Sequence, residues 1–236
     1  MSAKIPGLRW WIVTLIFGAS VLNYIDRQTL SVLAPTIQKD LKLSNEDYAS
    51  VLNLFLIAYT TASLLSGKVV DKLGVRVSLA LFVGWWSVAN ILTGFARSAG
   101  SLGLFRFLLG LGEAGNWTAA PKAVADWFPA RERGIAIGIY TLGATVGATI
   151  APILIVGFAT WHSWQAAFVA TGLAGLVWLI PWLWLYRRPE EHPRLTETER
   201  TLIATGNAVE NNPAADAAGW GKWWQVFARH EVWLLI

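Results

Sequence analysis

Six apolar blocks punctuate the chain, at about residues 9–36, 48–67, 77–96, 101–122, 134–158 and 165–186, with short polar linkers between them. Each has roughly the 20 apolar residues an α-helix needs to cross a hydrocarbon layer about 30 Å thick. The pattern predicts six membrane-crossing helices. Beyond residue 186 the character changes. Residues 187–221 are charged and then Ala/Asn-rich, with Pro189, Pro193 and Pro213, and read as a polar linker with a short helix starting near Thr196. Trp220 to Arg229 forms an amphipathic approach to a membrane interface, anchored by Trp223, Trp224 and Phe227. Val232 to Ile236 then opens another apolar run. The expected organisation is a six-helix bundle over 1–186, a central cytoplasmic linker over 187–221, and an interfacial segment with the start of a seventh helix over 222–236.

Composition agrees with the pattern: 55% of residues are apolar and only 14% charged, with 15 Trp. With no cysteine, a disulfide scaffold, a thiol nucleophile and a Cys-based metal site are excluded. His162, His192 and His230 have no partners at ligand spacing and read as interfacial or solvated, so no metal is expected. The net charge of +4 is a topology signal and does not point to nucleic acid. With the first residues inside, 14 Lys and Arg fall on the inner side and only Lys39, Lys42 and Arg97 on the outer. That bias places the amino terminus in the cytoplasm. The opening Met-Ser-Ala-Lys resembles a signal start, but the apolar run after it is too long and lacks a small-residue cleavage pattern.

Charge at membrane depth is costly and therefore informative. Asp26 and Arg27 interrupt the first block, and Arg106 and Glu113 lie in the fourth. Such residues mark substrate or ion pathways by default. Arg27 offers a planar, permanently charged fork suited to a carboxylate. Adjacent helical residues point about 100° apart, so Asp26 and Arg27 do not share a face. Asp26 and Glu113 are candidate proton carriers. Arg106 precedes Glu113 by two turns on the same face, placed either to tune it or to tie helices together. Gly134/Gly138 and Gly143/Gly147 give the fifth helix a small-residue face for close packing. Gly110-x-Gly112-x-x-Gly115 fits a dinucleotide fingerprint, but no strand precedes it. Asn116-Trp117-Thr118 fits a glycosylation acceptor, at membrane depth.

Gly67-Lys68-Val69-Val70-Asp71-Lys72-Leu73-Gly74-Val75-Arg76, between the second and third blocks, resembles the signature loop of the major facilitator superfamily. Its glycines suit a tight turn, and Asp71 can pair with a base or cap a helix. Asn23 to Arg27, Arg106 to Ala114, and Trp127-Phe128-Pro129 with Arg131 to Arg133 resemble the anion:cation symporter branch. Glu113 to Trp117 and Tyr186 to Pro193 are most similar to its bacterial hexuronate group.

The resemblance implies an all-α membrane protein: the six-helix first half of a twelve-helix fold, built from two three-helix inverted repeats. It implies a bacterial inner-membrane symporter of a small organic anion such as glucuronate or galacturonate, not an enzyme. Its surroundings would be membrane lipid, and its second six-helix half would follow in the same chain. The coupling ion would be a proton, with Na⁺ the alternative, and no further cofactor is implied. Arg27, Tyr24, Tyr59 and Asn116 would bind substrate, with Asn53, Thr141 and Thr145 as further polar contacts. Glu113 and Asp26 would couple protons, while Gly67, Asp71, Gly74, Arg76 and Arg106 would serve conformational change. Galactonate-type members carry a glutamine near Ala144, which is missing here. Two rival readings are an antiporter, whose fifth-helix glycines are replaced by Ile153-Leu154, and a non-transporting membrane scaffold.

Overall fold

The computed structural model describes residues 4–208. The expected interfacial segment and start of a seventh helix, with His230, lie outside the described residues. Those described form α1 (Leu8–Leu41), α2 (Asn45–Thr93), α3 (Ala99–Glu113), α4 (Asn116–Trp127), α5 (Ala130–Trp161) and α6 (Trp164–Leu185). A 3₁₀ turn (Pro189–Glu191) and α7 (Glu197–Ala208) follow.

α2 has 49 residues, which as one straight helix would run for ~73 Å, more than twice a bilayer core. It is two helices. At Gly74 the backbone takes φ 74° and ψ 162°, where a side chain is strained. Residues nine apart on an unbroken helix lie ~13 Å apart. Ser78 Oγ nevertheless donates to Val69 O at 3.1 Å, so the chain doubles back at Gly74. Gly67 has no share in that turn, correcting the expectation that both glycines form it. It is helical, with no heavy atom where its Cβ would stand. α3 and α4 together have the length of one crossing, interrupted at Ala114 and Gly115. Six crossings result, matching the six apolar blocks.

α1 packs on α5 and α6, and α2 on α3 and α6. The α1–α5 contact is a small-residue seam. A Cβ on Gly143 would lie 2.6 Å from Phe17 O, and one on Gly147 would lie 2.5 Å from Val21 O, so only glycine allows this approach. Gly134 and Gly138 do not join the seam, contrary to expectation; they are exposed, with nothing within 4 Å of an added Cβ. At the Gly74 end, Asp71 pairs with Lys122, and Arg76 accepts at its carbonyl from Trp182 Nε1 at 3.0 Å and donates to Leu183 O.

The sequence reads residues after 186 as linker, yet the first part packs against the bundle. Leu195, Ile203 and Glu199 are buried. Glu199 accepts from the backbone N–H groups of Leu8 and Arg9, both at 3.1 Å, at the start of a helix whose own N-cap, Gly7, has no side chain to offer. Arg9 bridges Glu199 and Glu132, joining α1, α5 and α7. Ile5 N–H donates to Arg194 O.

His192 corrects the expectation of an interfacial or solvated ring: it is 3% exposed, edge-on to Trp127 at 5.6 Å. Its Nδ1 accepts from Arg194 N–H at 3.1 Å and its Nε2 contacts Leu185 O at 2.9 Å, which fits the neutral ring protonated on Nε2. Burial pushes its pKa below the usual 6.5, with Arg187, Arg194 and Arg200 adding to the effect. A detached His192 takes up a proton near pH 6.5 that the docked ring refuses, so docking is strongest above that value and weakens as pH falls below it. Amides of 195–203 should therefore exchange hydrogen faster at about pH 5.5 than at about pH 7.5, after correction for intrinsic exchange. Equal protection at both values would refute this.

Candidate functional site

The two charged pairs expected on α1 and α3 meet in the interior of the bundle. Asp26 and Glu113 are wholly buried and Arg106 is 2% exposed. Arg27 is the most exposed of the four, with its side chain 31% exposed. Its Nε and Nη2 both donate to one oxygen of Glu113, Oε2, at 3.0 and 2.9 Å. Glu113 Oε1 is left without a hydrogen-bond partner. Arg27 thus pairs across to α3 and not with its neighbour Asp26, as the 100° offset requires.

Three rings enclose the Arg27 guanidinium: Tyr59 at 4.8 Å, Tyr24 at 5.3 Å and Phe55 at 5.4 Å from its central carbon. Tyr24 is in turn braced edge-on by Trp117 at 6.2 Å. Such rings hold a cation by their negative faces without neutralising it. Beside Arg27 opens a crevice of about 220 Å³, lined by Arg27, Ser31, Phe55 and Arg106 among apolar residues of α1 and α2. Arg106 lies over the Phe168 ring at 5.0 Å, and its Nε and Nη2 have no hydrogen-bond partner. The site therefore presents two guanidinium groups to one crevice, one caged and paired, the other unsatisfied.

Other expected residues are dispersed. Asn116 is fully buried and donates to Ser20 Oγ at 3.3 Å, tying α4 to α1. Asn53, Thr141 and Thr145 are exposed on α2 and α5. Gly67, Asp71, Gly74 and Arg76 lie at the far end of the α2 arms, away from the crevice.

Asp26 is held by residues the sequence reading missed. Asn90 Nδ2 donates to Asp26 Oδ1 and to Thr171 Oγ1, both at 2.7 Å. The signal was available: an amide within the apolar block 77–96 deserves the same scrutiny as a charge.

Comparison with known proteins follows the same line. A profile of the Major Facilitator Superfamily matches residues 16–236. The chain belongs to that superfamily. As a member it is a multi-pass membrane protein and not an enzyme. The hexuronate transporter of Escherichia coli K12 is 37% identical over 208 residues, covering 88% of this chain and 48% of its own length. The galacturonate transporter of Dickeya chrysanthemi is 35% identical over 230 residues, covering 98% and 66%. The chain thus spans about half to two-thirds of these relatives. Among solved structures, an inward-facing, unoccupied bacterial homolog of the human lysosomal transporter Spinster matches with TM-score 0.69 and 26% identity, over 82% of this chain and 45% of that one. A proton:xylose symporter, at 14% identity and TM-score 0.69, shares the fold. This superfamily member is therefore related to sugar-acid transporters, and its helices match about half of a superfamily structure.

Proposed function

We propose that the protein of which this chain is part carries a hexuronate, glucuronate or galacturonate, into the cell with protons, by alternating access. The observation that carries the proposal is the Arg27–Glu113 pair: a caged guanidinium facing a crevice, held by a buried carboxylate with one free oxygen. One cation cannot serve two carboxylates equally. While Glu113 is ionised it occupies Arg27. A proton on Glu113 releases Arg27 to the carboxylate of a sugar acid, so substrate and proton favour each other's binding. That mutual preference is the coupling free energy a symporter needs.

Tyr24 and Tyr59, at the edge of the cage, supply hydroxyls for the sugar, and Arg106 supplies positive potential to the crevice. Asp26 is a second proton carrier, buried beside the pair. Gly67, Asp71, Gly74 and Arg76 serve the conformational change at the inner end. In this reading the amino terminus is cytoplasmic, residues 187–221 join two six-helix halves, and the second half completes the pathway.

The experiment is uptake of labelled glucuronate and galacturonate by cells making the full-length protein, with and without a protonophore. Accumulation that collapses with the proton gradient is the expected result. Accumulation indifferent to the protonophore but lost when Na⁺ is replaced by choline would overturn proton coupling. Absence of uptake of both acids, with the protein in the membrane, would overturn the substrate class.

A further inference from the structure

We infer that Asn90 is a positioning residue that fixes Asp26 and selects which of its two oxygens takes the proton. The inference rests on the reading of Asp26 as a proton carrier. Asn90 lies on the second arm of α2, fully buried, where an amide needs a reason. Its two N–H groups meet Asp26 Oδ1 on α1 and Thr171 Oγ1 on α6, each at 2.7 Å. Thr171 in turn donates its hydroxyl proton to Phe168 O at 3.3 Å. That leaves its lone pair for Asn90 and fixes the amide with nitrogen toward the carboxyl.

The consequence is an asymmetric carboxyl. Asp26 Oδ1 already receives a hydrogen, whereas Oδ2 is buried with no hydrogen-bond partner. A proton on Oδ2 leaves the Asn90 bond intact, so Asp26 can change charge without moving its side chain. Other groups facing it are Glu113 and Arg106 from α3 and Thr171 from α6. Arg27, next in sequence, is engaged by Glu113. Asn90 is thus a neutral donor among ionisable neighbours, with the Thr171 hydroxyl also against the carboxyl, and it links α1, α2 and α6 in one chain of hydrogen bonds. A donor to a carboxylate stabilises its ionised form. Removing it should therefore move proton uptake by Asp26 to higher pH.

The test uses the full-length protein in lipid nanodiscs and follows the infrared band of protonated carboxyl groups through a pH titration. The part of the band lost in Asp26→Asn belongs to Asp26 and requires no knowledge of the substrate. In Asn90→Ala its midpoint is expected to rise by about one pH unit. Thr171→Val, nearly isosteric and able to fold where Asn90→Ala does not, should move it the same way by less. An Asp26 band whose midpoint is unmoved in the variants that fold would overturn the role of Asn90 and leave Asp26 as carrier. If no part of the wild-type band is lost in Asp26→Asn, Asp26 does not carry a proton, and the reading falls with the inference built on it.

Discussion

Arg27→Lys is expected to raise the KM for the proposed hexuronate substrate on the order of 100-fold while the protein still reaches the membrane. Breaking the hydrogen bonds of a buried charge pair typically costs about 2–5 kcal/mol, and each 1.4 kcal/mol is tenfold. Lysine keeps the charge but loses what the site uses. Arg27 meets Glu113 through two nitrogens and lies among three rings. An ammonium is a compact, strongly hydrated point that reproduces neither contact. Retained charge should protect folding, because Glu113 keeps a cation nearby. Arg27→Ala, which strands a buried carboxylate, should instead reduce the amount of folded protein, and Glu113→Gln in the same chain should restore it. The check is concentration-dependent uptake normalised to protein in the membrane. A KM within threefold of the parent would remove Arg27 from substrate binding.

Glu113→Gln should abolish accumulation against a gradient while leaving exchange of labelled for unlabelled hexuronate within a few-fold of the parent. Glutamine mimics the protonated acid in shape and charge, so Arg27 stays free for substrate at every pH. Uptake would then lose any pH dependence that the proposed protonation of this residue would impose. The measurement pairs efflux-driven exchange with protonophore-sensitive accumulation in proteoliposomes. Gradient-driven accumulation equal to the parent's would move the proton elsewhere, with Asp26 the next position to examine.

Much of this architecture can be read in the chain because the bilayer imposes a coarse rule. Apolar length gives the crossings, and all six blocks correspond to helices or helix arms. A turn between the second and third blocks is legible because glycine accepts positive φ, and the structure puts it at Gly74, with φ 74°. Gly67, in the same motif, is not distinguishable by sequence, since spacing cannot say which glycine bends. The same holds for α5: four glycines lie at close-packing intervals, but only Gly143 and Gly147 face α1.

At the site, the expense of buried charge picks out all four ionisable residues, yet it does not say who pairs with whom. Arg27 and Glu113 are 86 positions apart, and their meeting depends on how α1 and α3 are rotated in the bundle. Asn116 and Asn90 show the reverse. Both are amides in apolar segments; the first supports a helix contact and the second holds a carboxylate. His192 departs from expectation for a different reason. A polar segment looks solvated until the Trp127 surface that receives it is known.

The cap that Glu199 places on α1 also bears on the order of synthesis. In synthesis α1 emerges before α7, so the N–H groups of Leu8 and Arg9 appear ahead of their partner, which is encoded 191 and 190 residues later. Until α7 emerges, those two N–H groups have only water to bond. The bundle is therefore finished at its beginning, by nearly the last residues described, and a nascent chain stopped before Glu199 would carry all six crossings with its opening turn still frayed.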